Sequence, residues 1–290
     1  MKLVILPESG VAPVVEAIRR ARKSIDLTIF RFDQAPIEQA LGAAVQRGVL
    51  VRALIAHTNR GGERRLRKLE TRLLAAGVVL ARSADDLVRY HGKMMIVDGR
   101  TLFLMLFNLT RLDAGSRSFG VMTGERALVA AATRLFEADI ARQPYESNGG
   151  PLVVSPENAR EQLARFVGSA KRTLWIYDPK VSDGAMVRLL EQRRRQGVEV
   201  RILGSVGRRA RSLESAPLRT PRLHARMILR DGRAAFLGSQ SLRGLELDSR
   251  REIGVIVKNR NIVRGLRETF AEDWERMHTP NGKDAAESAA

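Results

Sequence analysis

Apolar residues recur at helical spacing in "APVVEAIRRARK" (Ala12 to Lys23), and the pattern then switches to strand period in "IDLTIF" (Ile25 to Phe30). "PIEQALGAAVQRG" returns to helical period. Pro36 lies in its first turn and Gly48 just past its end, which predicts a helix over 36–48. "VLVRALIA" (Val49 to Ala56) is the next predicted strand. Further on, "KMMIVDGRTLFLMLF" reads as two strands in quick succession around an Asp98-Gly99 turn. Helical period resumes over Arg126 to Ile140, and again over Ile262 to Met277. Strand, helix and strand in this order predict an α/β fold built on layered sheets.

The pattern occurs twice. "RGVLVRALI" (Arg47 to Ile55) matches "QGVEVRILG" (Gln196 to Gly204), placing Gly48 on Gly197 and Arg52 on Arg201, 149 positions apart. "ARKSIDLTIF" (Ala21 to Phe30) falls on "AKRTLWIYD" (Ala170 to Asp178) at the same separation. "YHGKMMIVDG" (Tyr90 to Gly99) matches "LHARMILRDG" (Leu223 to Gly232) 133 positions apart, so the second copy is 16 residues shorter ahead of its histidine. The first copy fills that space with "RGGERRLRKLETRLLAAG" (Arg60 to Gly77), a basic loop leading into a helix. The organisation expected is a first repeat over 1–143, a turn-rich linker over 144–151, a second repeat over 152–277 and a disordered polar tail over 278–290.

The chain has four histidines, His57, His91, His224 and His278, and two of them open the matching segments. Lys93, Asp98 and Asn108 follow His91 by 2, 7 and 17 positions; Arg226, Asp231 and Ser241 follow His224 at the same spacing, with Gly238-Ser239 between. Residues two apart on a strand share a face, so each histidine is expected to point with its cation into one space. A cation beside an imidazole makes a poor core and a good anion site. Two such pairs around one phosphate would let one imidazole attack phosphorus while the other protonates the leaving oxygen, with neither metal, cofactor nor thiol required.

Composition narrows the setting. There is no cysteine, which excludes disulfides, thiolate chemistry and cysteine-ligated zinc. No apolar run approaches the roughly 18 residues of a membrane helix. Lys+Arg number 50 against 32 Asp+Glu, a net +18 that favours polyanions, nucleic acid or anionic headgroups alike. The expected setting is cytoplasmic, with peripheral contact to the inner membrane face.

The paired His-x-Lys/Arg-x4-Asp segments resemble the signature of the phospholipase D superfamily, and the likeness runs from about Leu3 to Met277. The resemblance implies two similar α/β/α layered repeats related by a pseudo-twofold axis, with one active site at their interface and no obligate oligomer needed to complete it. It implies a metal-independent phosphodiesterase working through a phosphohistidine. His91 and His224 would be nucleophile and general acid, in an order left open, while Lys93 and Arg226 hold the phosphate oxygens. Asn108, with Ser239 or Ser241, would add hydrogen bonds. Asp98 and Asp231 would tie the turn behind each motif, and Glu252 would bond a histidine and favour its imidazolium. This chain departs from the pattern at several points. Arg226 replaces lysine, and Met105-Leu106 stand where Gly-Ser is expected. The first repeat lacks a counterpart of Glu252, leaving Asp113 as the nearest substitute acid.

The substrate stays open among three classes. Phospholipid, through headgroup hydrolysis or phosphatidyl transfer, is favoured narrowly, with Met105 and Leu106 expected to add apolar surface near the phosphate. A nuclease is second, supported by charge although only 5% of residues are aromatic. A catalytically decayed phosphate-binding module is third. His57 reads as a loop-lip residue, His278 as solvated, Trp175 and Trp274 as core, and Arg64 to Arg72 as the wet face of a helix. The arginine-rich stretch Ser205 to Arg222, leading into His224, is a better candidate for ligand contact.

Overall fold

The computed structural model describes residues 1–58, 63–207 and 212–278. The first repeat runs β1 (Lys2–Leu6), α1 (Ala12–Arg20), β2 (Ser24–Ile29), α2 (Ala35–Gln46), β3 (Leu50–Ile55), α3 (Glu63–Ala75), β4 (Val79–Arg82), β5 (Arg89–Tyr90), β6 (Met94–Val97), β7 (Thr101–Met105), α4 (Arg111–Ala114), β8 (Ser118–Thr123) and α5 (Arg126–Ile140). The second runs β9 (Leu152–Ser155), α6 (Ala159–Gly168), β10 (Thr173–Val181), α7 (Gly184–Arg195), β11 (Glu199–Val206), β12 (Glu214–Ala216), β13 (Met227–Arg230), β14 (Ala234–Gly238), α8 (Gly244–Asp248), β15 (Arg250–Val257) and α9 (Arg260–His278).

Each repeat builds a sheet of the same order. The first is β1-β8-β7-β6-β2-β3-β4, and the second follows it strand for strand as β9-β15-β14-β13-β10-β11-β12. β2 and β3 run parallel, as βαβ units require, while β6, β7 and β8 are antiparallel. The β6–β7 turn holds Asp98 at φ 54° and Gly99 at φ 61°, and the β13–β14 turn holds Asp231 at φ 55° and Gly232 at φ 61°. Two successive left-handed residues make the tight hairpin turn that matches strand twist. In each turn the aspartate also caps the start of the neighbouring strand, β2 or β10: Asp98 accepts the amides of Arg22, Lys23 and Ser24, and Asp231 those of Lys171, Arg172 and Thr173.

Among the described residues three apolar cores separate the layers. Apolar faces of α1, α2 and α3 cover the outer face of the first sheet, and those of α6 and α7 the outer face of the second. Leu128, Leu135 and Phe136 of α5 pack with Leu266, Phe270 and Trp274 of α9 in a central core between the two sheets. Each sheet therefore lies between helices, in two α/β/α repeats back to back. His278 is the last residue of α9 and stacks on Trp274 at 4.4 Å, so it belongs to the helix rather than to the tail. Residues 279–290 lie outside those described.

Candidate active site

Both motif histidines sit where the repeats exchange backbone. β5 leaves the first repeat to pair with β15 of the second, and the N–H groups of His91 and Gly92 both donate to the carbonyl of Arg251 at 2.8 Å. Reciprocally, His224 N–H donates to the carbonyl of Arg117 at 3.0 Å. His91 and Lys93 therefore lie just before β6, and His224 and Arg226 just before β13. This corrects the strand placement expected from sequence. The physical reason is that the histidine amides bond the opposite repeat instead of a neighbouring strand of their own sheet. The approach is close: a Cβ on Gly92 would stand 2.5 Å from Cδ1 of Ile253, on the strand that supplies the accepting carbonyl.

The two arginines behind these carbonyls are buried and locked. Arg117 bonds Asp273 through Nε at 2.7 Å and Nη2 at 3.1 Å, and bonds Glu8 through Nη1 at 2.8 Å. Arg251 bonds Asp139 at 3.1 Å and also Glu157. The sets are related by the repeat: Glu8 and Glu157 are 149 positions apart, while Arg117 and Arg251, and Asp139 and Asp273, are 134 apart. In both, the aspartate comes from the closing helix of the opposite repeat. A histidine main chain, an arginine and two carboxylates thus form one connection across the interface, and they form it twice.

The side chains converge from there. Nδ1 of His91 donates to Oε2 of Glu252 at 2.8 Å, and Lys93 Nζ stands 3.2 Å from Nε2 of the same ring. Phe30 meets His91 edge-on at 4.7 Å. In the second motif, Nδ1 of His224 lies 3.7 Å from Oδ2 of Asp113, too far for a hydrogen bond. Asp113 nonetheless comes to His224, the place left for a substitute acid. It accepts from Asn108 Nδ2 at 2.6 Å and from Arg222 at 2.6 Å. Arg226 donates to the carbonyl of His224 at 2.8 Å and to Ser241 Oγ at 3.2 Å. Ser239 Oγ accepts from the Ile253 amide at 3.1 Å. Asn108, Ser239 and Ser241 thus meet protein partners that orient Asp113, Arg226 and the strand carrying Glu252.

Glu246 was not singled out from the sequence. It accepts the Ser241 amide at 2.8 Å, as Asp113 accepts the Asn108 amide at 2.7 Å. Each acid stands five positions after its partner, a spacing visible in the repeat. Thr28 was also missed; its hydroxyl accepts from the Met94 amide at 2.8 Å and holds the first motif against β2.

Burial dominates the electrostatics. Burial first, then Lys93 and Arg226, hold the His91 imidazole well below its ordinary value. His224 is depressed likewise, by burial, Arg226, Lys93 and His91. Burial draws the Lys93 ammonium down to about 7, against the pull of Glu252, and raises the Glu252 carboxyl. The expected preference for imidazolium is therefore corrected. Glu252 reaches His91, but burial and the cations Lys93 and Arg226 oppose the charged form of the ring.

Met105 and Leu106 require a second correction. Met105 is 1% exposed in the outer core of the first repeat and Leu106 2% exposed in the central core, so both serve core packing instead of adding exposed apolar surface. Asp98 and Asp231 act at the far ends of β6 and β13, away from the histidines. His57 is exposed at the end of β3, and Trp274 is buried in the central core. Of the basic stretch Ser205 to Arg222, residues 208–211 lie outside those described, while Arg222 reaches Asp113 beside His224. Among the described residues no helix is long and apolar enough to cross a membrane.

A family model described as "Cardiolipin synthase, PLD-like domain" matches residues 14–140 and 163–274, one stretch in each repeat. Among solved structures, polyphosphate kinase from Porphyromonas gingivalis superposes at TM-score 0.77 and 19% identity, over 94% of this chain and 50% of that one. The chain thus spans about half the length of that kinase. Phosphatidylserine synthase from Haemophilus influenzae Rd KW20 superposes at TM-score 0.70 and 11% identity, over 95% of this chain and 86% of that one. Nuc, a phospholipase D family member from Salmonella typhimurium, matches 49% of this chain and 93% of its own at 26% identity and TM-score 0.44. The kinase and synthase likenesses establish the shared fold. No curated protein sequence matches the chain.

Proposed function

The chain belongs to the cardiolipin synthase, PLD-like domain family of the phospholipase D superfamily, whose members process phosphodiesters, and on that footing we propose that it is a metal-independent phosphodiester hydrolase or transferase acting on phospholipid through a phosphohistidine. The observation that carries the chemistry is the 2.8 Å bond from His91 Nδ1 to Glu252. That bond favours the tautomer with the lone pair on Nε2, which supports His91 as the nucleophile. Nε2 attacks phosphorus, a P–N bond forms, the P–O bond to the leaving alcohol breaks, and His224 gives that oxygen its proton. Water or an alcohol then attacks the phosphohistidine and passes its proton to His224, and His91 leaves as neutral imidazole. Lys93 transfers its contact from Nε2 to a phosphate oxygen as phosphorus approaches, and Arg226 adds a second fixed charge. The bound phosphate anion supplies the counter-charge that lets His224 carry its proton in a buried site.

Two exposed leucines favour lipid as the substrate. Leu112 on α4 is 62% exposed and Leu245 on α8 is 37% exposed. Each stands 21 positions after the histidine of its repeat. Each also adjoins an acid that reaches toward the site, Asp113 or Glu246. Val88, 58% exposed, donates its N–H to the carbonyl of Ser249, the residue that follows α8. Exposed apolar side chains next to acids that reach the site, with Arg111 and Arg243 nearby in sequence, suit the interface of an anionic bilayer.

The test uses phosphatidylglycerol vesicles in excess EDTA, with chromatography of the lipid products. Phosphatidic acid or cardiolipin made by wild type and absent with His91→Ala supports the proposal. No lipid product, with bis-nitrophenyl phosphate still cleaved, moves the substrate to nucleic acid. Failure on both leaves a phosphate-binding module.

A further inference from the structure

A second basic site lies away from the histidines. The turn between β13 and β14 and the first two turns of α9 enclose an open cleft of about 620 Å³, lined by Gly232, Arg233, Lys258, Arg260, Val263, Arg264 and Arg267. Five of these seven residues are cationic and none is acidic. Among the described residues none of the five is within salt-bridge distance of a carboxylate. An adjoining hollow of about 250 Å³ adds Arg172 and shares Gly232 and Arg267. Its one acid, Asp231, is committed to the main-chain amides of Lys171, Arg172 and Thr173.

The arrangement is unfavourable by itself. Arg260, Arg264 and Arg267 follow at i, i+4 and i+7 on one face of α9, where like charges repel. They also start at the end of the helix whose dipole prefers anions. The first repeat shows that the fold does not require this. At its equivalent positions stand Arg100, Gly124, Arg126, Ala130 and Thr133, two cations instead of five. Nor does the cleft belong to the reactive centre. His224 and Arg226 precede β13 and Asp231-Gly232 follow it, so four strand residues, roughly 13 Å of extended chain, lie between the two.

We propose that this cleft is a binding site for a ligand bearing several phosphate charges, separate from the site where phosphodiester chemistry occurs. A bound polyanion offsets the repulsion along α9 and meets its dipole. Arg267, shared between the two hollows, joins them into one elongated site. Phosphate charges of this kind come either from a free oligophosphate or from clustered headgroups on a membrane, and the experiment separates these sources.

The variant Arg264→Ala/Arg267→Thr gives both positions their first-repeat residues. Both side chains are exposed, so the variant is expected to fold. Binding of tripolyphosphate is measured by calorimetry, and binding of phosphatidylglycerol vesicles by sedimentation, each against wild type. Tripolyphosphate affinity reduced at least about tenfold assigns a free oligophosphate. Vesicle binding reduced to that extent, with no tripolyphosphate effect, assigns headgroups. In either case cleavage of bis-nitrophenyl phosphate stays within about twofold of wild type, which separates this site from the catalytic reading. If the variant binds both probes as wild type does, or cleavage falls in parallel with binding, the proposal is overturned.

Discussion

Nδ1 of His91, in the first repeat, donates to Glu252, 161 positions away in the second, at 2.8 Å. The ring proposed as nucleophile is therefore held by the opposite half of the chain. Glu252→Gln keeps the size and an acceptor but removes the negative charge that supports the ring as it bonds phosphorus. The expected result is a fall in kcat of about 10²-fold, read from nitrophenol release. The melting temperature should hold or rise, because the carboxylate is buried at a cost that glutamine avoids. An unchanged kcat would remove Glu252 from the mechanism.

Lys93 is expected to set a pH limit on binding. Its ammonium is drawn down to about 7, chiefly by burial, so the cation is present below that pH and lost above it. Bis-nitrophenyl phosphate keeps one charge throughout this range, so its KM reports the protein. KM is expected to climb about tenfold between pH 6 and 8 in wild type, whereas Lys93→Gln starts high and shows no step. Stability moves with the same proton. An unfolded lysine titrates near 10.5, so between about 7 and 10.5 the unfolded chain holds more protons and Lys93 makes stability rise with pH. Urea titrations of wild type and Lys93→Gln across that window would show the difference.

The arginine locks predict an asymmetry between their own members. Arg251→Met leaves Asp139 and Glu157 without their cation and is expected to cost about 3–5 kcal/mol in urea denaturation. Asp139→Asn should cost much less, because burial already pushes the Asp139 carboxyl up to about 7 and a neutral side chain suits that place. Equal losses in the two variants would mean that the carboxylate charge, rather than the arginine, holds the connection behind His91.

What could be read from the sequence was whatever repeats locally. α5 begins and ends at the residues that helical period predicts, Arg126–Ile140. The two Asp-Gly turns are fixed by backbone conformations that few residues adopt. The histidine pairs were visible because a cation beside an imidazole is out of place in an apolar segment. The Arg117 and Arg251 locks were not, since two buried arginines look like any others among 50 basic residues. Only their shared 134-position separation with Asp139 and Asp273 marked them. Met105 and Leu106 misled for a different reason. Alternation sends neighbouring residues to opposite faces of a sheet, and here both faces are core. Whether the histidine amides bond within a sheet or across the interface depends on how the repeats dock, which neither segment encodes alone.

The exposed leucines give the lipid reading its own test. Leu112 and Leu245 lie one residue before Asp113 and Glu246, so they flank the site without belonging to its chemistry. Leu112→Ser/Leu245→Ser removes the exposed leucine from each repeat. Burying a leucine in an interface is worth roughly 1.5–3 kcal/mol, so losing two should lower turnover on phosphatidylglycerol vesicles by at least about tenfold. Hydrolysis of the soluble nitrophenyl diester should be unaltered, since no hydrogen bond or charge in the site changes. Raising the anionic lipid fraction should partly restore the variant, because the surrounding arginines still draw it to the bilayer. If both substrates are turned over at wild-type rates, the leucines do not meet lipid, and an open basic groove for nucleic acid becomes the better account of this face.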